Sequence, residues 1–478
     1  MPEKFEHFAN TKILATLGPA TFESEIIKKL ILSGIDGVRL NFSHGDYNFF
    51  SQLYKNIYTA CVDEKTPLSV LVDLQGPKIR IGDLSEPYFD IKEGNIIEIT
   101  IDKIIGNNKK ISTNYSQLPK DAEIGDRILI DDGLLRFTII DKKENSVICQ
   151  SLNSGKLKPR KGMNLPGMKL STPSITEKDF ADLKFALNNR VDYIALSFVR
   201  SPEDVVKLKS WLIMNGLDIP VIAKIEKKEA VDHFDDILSV SDGIMIARGD
   251  LGVELQPQEV PVLQKAIIKK CNAHGKLVIT ATQMLESMIN SPIPTRAEAS
   301  DVANAVWDGT DVVMLSGETS VGKYPIEAVK TMNDILKKAE SNYLYRKNID
   351  YIIPDNFQEK LFDSVCRAVV EISNRVEASA IIVFTEFGRT AIRISKYNPD
   401  CKILAFSNKF ETMNKLSLYR NIIPIFSDKI QKEKIYIEEA KKKIIDLGYV
   451  KTGDLLIFTS GTPISEKGRI NWLDFEIV

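Results

Sequence analysis

The chain is predicted to be an α/β protein: a (β/α)8 barrel with an inserted small β-barrel lid domain and a C-terminal open α/β sheet domain. Three observations carry this. Eight short apolar runs, each bounded by Gly, Pro, Asp or Asn, alternate with helical patterns. The alternation breaks between Asp73 and Asp192, where shorter runs with a two-residue period sit between Gly, Asn and Asp turns. A fresh strand and helix alternation then begins beyond the proline-bearing stretch Asn348–Phe357.

The expected barrel strands are Lys12–Leu17, Gly37–Phe42, Leu68–Asp73, Asp192–Ser197, Pro220–Glu226, Gly243–Ala247, Leu277–Ala281 and Asp311–Leu315. Helices are expected at Ser24–Ser33, Pro202–Asn215, Val260–His274 and Pro325–Ser341, where an early proline or a nearby glycine marks a start or stop. In the insertion, Ile96–Ile101, Arg127–Ile130, Leu135–Ile140 and Ser146–Ser151 read as strands. Its joints, Gly76-Pro77 and Leu165-Pro166-Gly167 leading to Pro173, suit a movable lid. In the last part Leu361–Arg375 reads as a helix, and Ala380–Phe384, Lys402–Phe406 and Asp454–Thr459 as strands. The expected division is 1–75 and 173–343 for the barrel, 76–172 for the lid and 344–478 for the C-terminal domain. No internal repeat or low-complexity tract is visible.

At 478 residues the chain exceeds one hydrophobic core. Hydrophobic residues make up 44%, charged residues 27%, and the formal net charge is −2. Lysines are interleaved with acids, as in the solvated helix face expected over Lys429–Ala440, so no basic stripe points to nucleic acid. The five cysteines have no paired spacing and read as reduced. Met1–Asn10 is polar, no run is long and apolar enough to span a membrane, and a cytoplasmic location is the expectation.

The chemistry concentrates between Val221 and Asp250. Strand alternation puts Lys224 and Glu226 on one face, and the next strand runs into the glycine turn Arg248-Gly249-Asp250 with the acid at its end, so Asp250 can meet Glu226. Two hard oxygen donors suit a magnesium ion that keeps positions for waters and substrate oxygens. The bland alternative is a surface Lys/Glu pair beside a helix-capping turn. Arg39, Asn41 and Ser43 likewise share a face. A guanidinium there suits a phosphate, the alternative being a polar layer inside the barrel. Asp73 ends the following strand, and Arg80 lies where a phosphate could sit between it and Arg39. Thr282 ends another strand and could be no more than a helix cap. His44 before Gly45 suits a turn, and Lys161 suits either a nucleotide phosphate or solvated surface.

These stretches resemble the pyruvate kinase family. The resemblance rests on Arg39-Leu40-Asn41-Phe42-Ser43-His44-Gly45, Gly76-Pro77-Lys78-Ile79-Arg80, Lys224-Ile225-Glu226 and Ala247-Arg248-Gly249-Asp250-Leu251-Gly252. Ala281-Thr282-Gln283-Met284-Leu285-Glu286-Ser287-Met288 followed by Pro294-Thr295-Arg296-Ala297-Glu298 is its most diagnostic piece. It implies transfer of the phosphoryl group of phosphoenolpyruvate to ADP, giving pyruvate and ATP, in a homotetramer. It also implies magnesium (or manganese) on Glu226 and Asp250, with Lys224 stabilising the phosphoryl group in flight and the enolate. The substrate carboxylate would lie at Gly249 and Asp250, Thr282 would handle the proton and Arg39 would grip phosphate. Asn41, His44, Arg80 and Lys161 would face the nucleotide.

Two departures qualify the resemblance. Potassium-dependent members carry Thr, Lys, Glu and Thr where this chain has Leu74, Gln75, Lys78 and Ile81, so the potassium region of Asn41, Ser43, Asp73 and Leu74 is expected to use Lys78 as a replacement charge and to need no potassium. The turn Thr385, Gly388, Arg389, Thr390 keeps the hydroxyls of an effector loop but lacks the lysine of fructose-1,6-bisphosphate sites, which implies some other phosphorylated small-molecule effector. A magnesium-dependent lyase of the pyruvate-enolate type would use the same Lys/Glu/Asp set without needing a lid. A silent metabolite sensor would have lost those residues.

Overall fold

The computed structural model describes residues 8–341, 351–428, 437–461 and 472–478. Eight parallel strands close a barrel: β1 (Lys12–Thr16), β2 (Gly37–Asn41), β3 (Ser69–Asp73), β4 (Tyr193–Leu196), β5 (Val221–Ile225), β6 (Gly243–Ala247), β7 (Leu277–Ala281) and β8 (Val312–Leu315). Each expected run is a strand, and the register Lys12↔Val312 through Ala15↔Leu315 closes β1 on β8. Alternation sorts the side chains. Leu14, Leu71, Tyr193, Ile222, Met245 and Ile279 fill the barrel, while Ile13, Val72, Ile194, Ala223, Ile244 and Val278 pack outward under the helices. Burying such a side chain stabilises by about 1.5–3 kcal/mol. The inward positions at the C-terminal ends are instead polar, with Thr16, Asp73 and Lys224 buried and Arg39 half-buried.

The opposite mouth carries a fourfold device where no repeat was expected. Asp36, Asp192, Asp242 and Asp311 each precede an even-numbered strand. Each carboxylate accepts the N–H of Ile13, Val70, Val221 or Val278 at 2.8–2.9 Å. The same aspartates donate their own N–H to the carbonyls of those residues at 2.9–3.2 Å. The N–H groups where odd strands begin are thereby satisfied away from water. Lys12, Arg190 and Lys209 pair with the first three carboxylates, and Asp311 faces Arg420 of the C-terminal domain. One residue per unit, at unequal spacing, leaves no repeat for a sequence reading to find.

The C-terminal domain plugs this mouth. Leu418 is buried in the barrel's interior cluster, Tyr193 donates to the Lys415 carbonyl at 2.7 Å, and Ser417 donates to the Asp36 carbonyl at 2.8 Å. Gly37 lets the plug seat closely, since a Cβ there would lie 2.8 Å from Leu418 Cδ2 and 3.2 Å from Ser69 Cβ. The domain's sheet comprises β9 (Ala380–Phe384), β10 (Lys402–Ser407), β11 (Ile422–Phe426), β12 (Leu455–Ser460) and β13 (Trp472–Ile477), in the order β11-β10-β9-β12-β13. Two of these strands were not expected. Pro424 masks β11, which tolerates it as an edge strand, and Asp474 and Glu476 give β13 the charged character of the other edge.

Between β3 and β4 stands a separate six-stranded sheet around Ile97, Ile128, Phe137 and Val147, with a two-stranded pair, Phe89–Ile91 with Gly155–Leu157, beside it. The strands missed in the sequence, such as Lys110–Ser112 and Met163–Asn164, are too short to show a period. Among the described residues no helix is long and apolar enough to cross a membrane. The expected boundary at 343/344, residues 348–350 of the proline-bearing stretch and 429–436 of the solvated helix face lie outside the described residues.

Candidate active site

The polar inward side chains at the C-terminal strand ends form one buried ion cluster. Lys224 Nζ donates to Ser197 Oγ at 2.7 Å and lies 2.8 Å from Glu226 Oε1 and 3.2 Å from Asp73 Oδ1. Arg39 meets Asp73 Oδ2 through both Nε and Nη2 at 2.7 Å, and its Nη1 donates to Thr16 Oγ1 at 3.1 Å. The second oxygen of Glu226 accepts the Phe198 N–H at 2.9 Å, from a residue held left-handed at φ 56°. Two cations thus face two carboxylates.

The protonation states follow from this balance. Burial alone would push Asp73 up, but the Lys224 and Arg39 charges outweigh it and hold its carboxyl below the ordinary value. Burial would lower Lys224, yet Asp73 and Glu226 outweigh it and raise the ammonium's pKa. Glu226 is raised, first by burial and then by the nearby Asp250 charge, against the pull of Lys224. Asp250 is exposed, and among the described residues its carboxylate has no hydrogen-bond or ion-pair partner. It adds a negative charge to an otherwise balanced set. Among the described residues no three His, Cys, Asp or Glu side chains converge as a ready metal cage. Glu226 and Asp250 fit an ion that takes most of its ligands from water and substrate.

The glycine turn that carries Asp250 is the first turn of a short helix, Arg248–Glu254. That turn is tied to the end of β7, because the Gly249 N–H donates to Thr282 Oγ1 at 2.8 Å while the Thr282 hydroxyl donates to the Ala281 carbonyl at 2.7 Å. Thr282 starts no helix; the next regular element is the 3-10 turn Glu286–Ile289, so it serves no helix-capping role. Thr282 and Gln283 are both left-handed, at φ 67° and 54°. For a β-branched residue this is a strained conformation, costing about 1–3 kcal/mol. A cavity of about 870 Å³ opens here, lined by Gly249, Asp250, Thr282, Gln283 and, from the lid, Asp132.

A cationic rim borders the site. His44 is lowered by partial burial and then by Lys78, Arg80 and Arg39. Lys78 is lowered by burial first and by Arg80 next, with Asp250 and Asp132 pulling the other way. Asn41 Oδ1 accepts the Ser43 N–H at 3.2 Å, and Leu74 is buried. Arg80 Nη1 donates to the Arg160 carbonyl of the lid at 3.1 Å. Lys161 pairs with Asp131 inside the lid at 2.9 Å. In the C-terminal domain the Gly388 N–H donates to Thr385 Oγ1 at 2.9 Å, Thr390 is buried, and Arg389 reaches Glu359 at 3.1 Å.

The comparisons decide the family. Residues 8–329 match the family described as "Pyruvate kinase, barrel domain", and residues 363–474 match "Pyruvate kinase, alpha/beta domain". The chain belongs to the pyruvate kinase family. A pyruvate kinase of Thermotoga maritima is 42% identical over 454 residues, covering 95% of this chain and 96% of that protein. One from Bacillus licheniformis is 42% identical over 471 residues, 98% of this chain and 80% of that protein. The crystal structure of a pyruvate kinase from Cryptosporidium parvum superposes with a TM-score of 0.92 at 37% identity, covering 100% of this chain and 97% of that one. The chain is accordingly a phosphotransferase of the pyruvate kinase type, an activity whose substrates are phosphoenolpyruvate and ADP.

Several residues that build this pyruvate kinase site had no assigned part in the sequence reading. Ser197 could have been found, since Tyr193 and Ala195 point inward and the same alternation carries on to Ser197 beside Lys224. Arg248 and Glu318 could not. Arg248 Nη2 donates to the carbonyls of Thr282 and Gln283, and Glu318 accepts the N–H groups of Leu285 at 3.0 Å and Ser316 at 2.7 Å; no side-chain pattern announces such backbone partners.

Proposed function

We propose that this enzyme works with magnesium, and without potassium, through the side chains gathered at Lys224. The observation that supports this most is the Lys224 ammonium, fixed 2.8 Å from Glu226 at the mouth that also presents the Asp250 carboxylate. Glu226 and Asp250 would hold the magnesium, whose charge, or that of manganese in its place, offsets the phosphoryl oxygens. Lys224, kept protonated by its neighbours, stabilises the phosphoryl group in transfer and the enolate oxygen left behind. The substrate carboxylate would take the Gly249 and Asp250 N–H groups, displacing Thr282 Oγ1 from the first. Freed of the Gly249 N–H, the Thr282 hydroxyl would turn from the Ala281 carbonyl to pass its proton to the enolate. Arg39 binds phosphate while Asp73 holds its guanidinium flat. Asn41, His44 and Arg80 face the nucleotide, and Lys161 joins them when the lid moves.

A coupled assay for pyruvate from phosphoenolpyruvate and ADP tests this. Turnover is expected to require a divalent ion, and Asp250→Asn to weaken magnesium and phosphoenolpyruvate binding together. An unchanged magnesium titration in that variant removes Asp250 from the metal. A cytoplasmic homotetramer regulated through the Thr385, Gly388, Arg389, Thr390 turn completes the reading, and sedimentation at assay concentrations tests the oligomer.

A further inference from the structure

We propose that Arg248 is a positioning residue for Thr282, which rests on the proton-handling role given to that threonine. The Arg248 side chain is 9% exposed and starts at the end of β6, from which it crosses to the end of β7. Nη2 donates to the Thr282 carbonyl at 2.8 Å and to the Gln283 carbonyl at 3.1 Å, and Nε reaches the Thr282 carbonyl at 3.2 Å. Its far edge is anchored by Asp301 Oδ2 at 2.7 Å and Gln264 Oε1 at 3.3 Å. The tie runs both ways, since the Thr282 hydroxyl holds the Gly249 N–H next to Arg248 in the chain.

Nothing local favours two left-handed residues at Thr282 and Gln283. Their carbonyls must be held from outside, and a planar fork of donors can take two successive carbonyls where an ammonium presents a single point. Without the fork the peptide relaxes towards an ordinary conformation, and the Thr282 Cβ–Oγ1 bond swings away from the cavity. The step affected is ketonisation. The enolate's methylene carbon takes a proton while its oxygen becomes the ketone, and the hydroxyl that passes the proton regains one from cavity water.

The competing account is a strut between helices Val260–His274 and Arg296–Asp308, which carry Gln264 and Asp301. Arg248→Met, Arg248→Lys and Thr282→Ala separate the two when three readouts are taken. These are ketonisation of enolpyruvate generated from phosphoenolpyruvate by a phosphatase, the KM for phosphoenolpyruvate, and thermal melting. Arg248→Met is expected to slow ketonisation by about 10²-fold, the scale of a small misplacement, with KM little changed. Arg248→Lys should fall between it and the wild type. Should Arg248→Met not fold, Arg248→Lys with the same split carries the test. Ketonisation at the wild-type rate in a folded Arg248 variant, or a loss seen only as a lower melting temperature or a higher KM, overturns the positioning role. Unimpaired ketonisation in Thr282→Ala overturns the threonine's role itself, so the two failures are distinguishable.

Discussion

Lys224 Nζ and Glu226 Oε1 meet at 2.8 Å from two positions on one face of a single strand and its extension, both groups buried. Such a pair does little for stability, because taking two charges out of water offsets most of their attraction. What the arrangement supplies is preorganisation. The ammonium needs no reorientation when phosphoryl charge develops, and the carboxylate is already aimed at the same mouth.

Lys224→Met is therefore expected to lower turnover by about 10²-fold or more, as loss of a group acting on transition-state charge does. It should also lower stability, because it leaves Asp73 and Glu226 buried with only Arg39 for compensation. In the wild type the Asp73 carboxyl is held below its ordinary value, so its contribution is present above the unfolded carboxylate pKa and lost as pH falls. In the variant both carboxyls rise, and stability is lost as pH increases from about 4, the unfolded carboxylate value. Melting curves should show a smaller deficit at acid than at alkaline pH. A folded variant with wild-type turnover would refute the role given to Lys224.

Asp311 offers a second pH test, far from the chemistry. Burial pushes its carboxyl up to about 7, opposed by the Val278 N–H and the Arg420 charge. The folded state therefore binds a proton there that the unfolded state releases near pH 4. Its contribution is complete below that pH and disappears as pH rises through about 7. Asp311→Asn keeps an acceptor for the Val278 N–H and removes the titration. The melting temperature of the wild type relative to this variant is expected to decline between those two pH values, and a constant difference would show that Asp311 is ionised throughout.

How much of this was legible follows from what alternation can carry. β5 and β6 were readable because short apolar runs between Gly, Pro and Asp leave few other solutions, and the inward positions of Lys224 and Glu226 follow from the period alone. The left-handed pair at Thr282 and Gln283 was not readable. Neither residue type favours that conformation, and what holds it is Arg248, thirty-odd residues upstream, acting on carbonyls that every residue possesses. The Asp36, Asp192, Asp242, Asp311 ring was hidden for a similar reason, its partners being backbone N–H groups of strands that can lie far away in the chain.

For the C-terminal domain, the expected activator carries one phosphate on a sugar or nucleotide. Lys409 is engaged by Glu386 at 2.7 Å and Arg389 by Glu359 at 3.1 Å, so few cations are at hand for a second phosphate. Screening phosphorylated compounds at sub-saturating phosphoenolpyruvate checks this, and strong selective activation by fructose-1,6-bisphosphate would contradict it.

The last expectation, activity without potassium, turns on Lys78. In a site that uses potassium, the ion brings one positive charge beside the phosphoryl position, near Asn41, Ser43 and Asp73. Here Lys78 is half-buried, and the charges it senses are Arg80, Asp250, Asp132 and Lys224. It therefore belongs to the site's field rather than to the open surface, where a lysine would be solvated and nearly inert. Among the described residues its ammonium forms no ion pair, and Asp250 and Asp132 favour its charged form against burial and Arg80, so a covalently attached charge is placed to do what the ion does elsewhere. Leu74, where potassium-dependent members carry a threonine, is buried and apolar in the same region. Rates in potassium-free, sodium-free buffer should equal those in potassium chloride at matched ionic strength. Lys78→Glu should lower activity and make it depend on potassium, because it replaces the built-in charge with one that recruits the ion. A wild-type enzyme that stays inactive until potassium is added would show that Lys78 does not stand in for it.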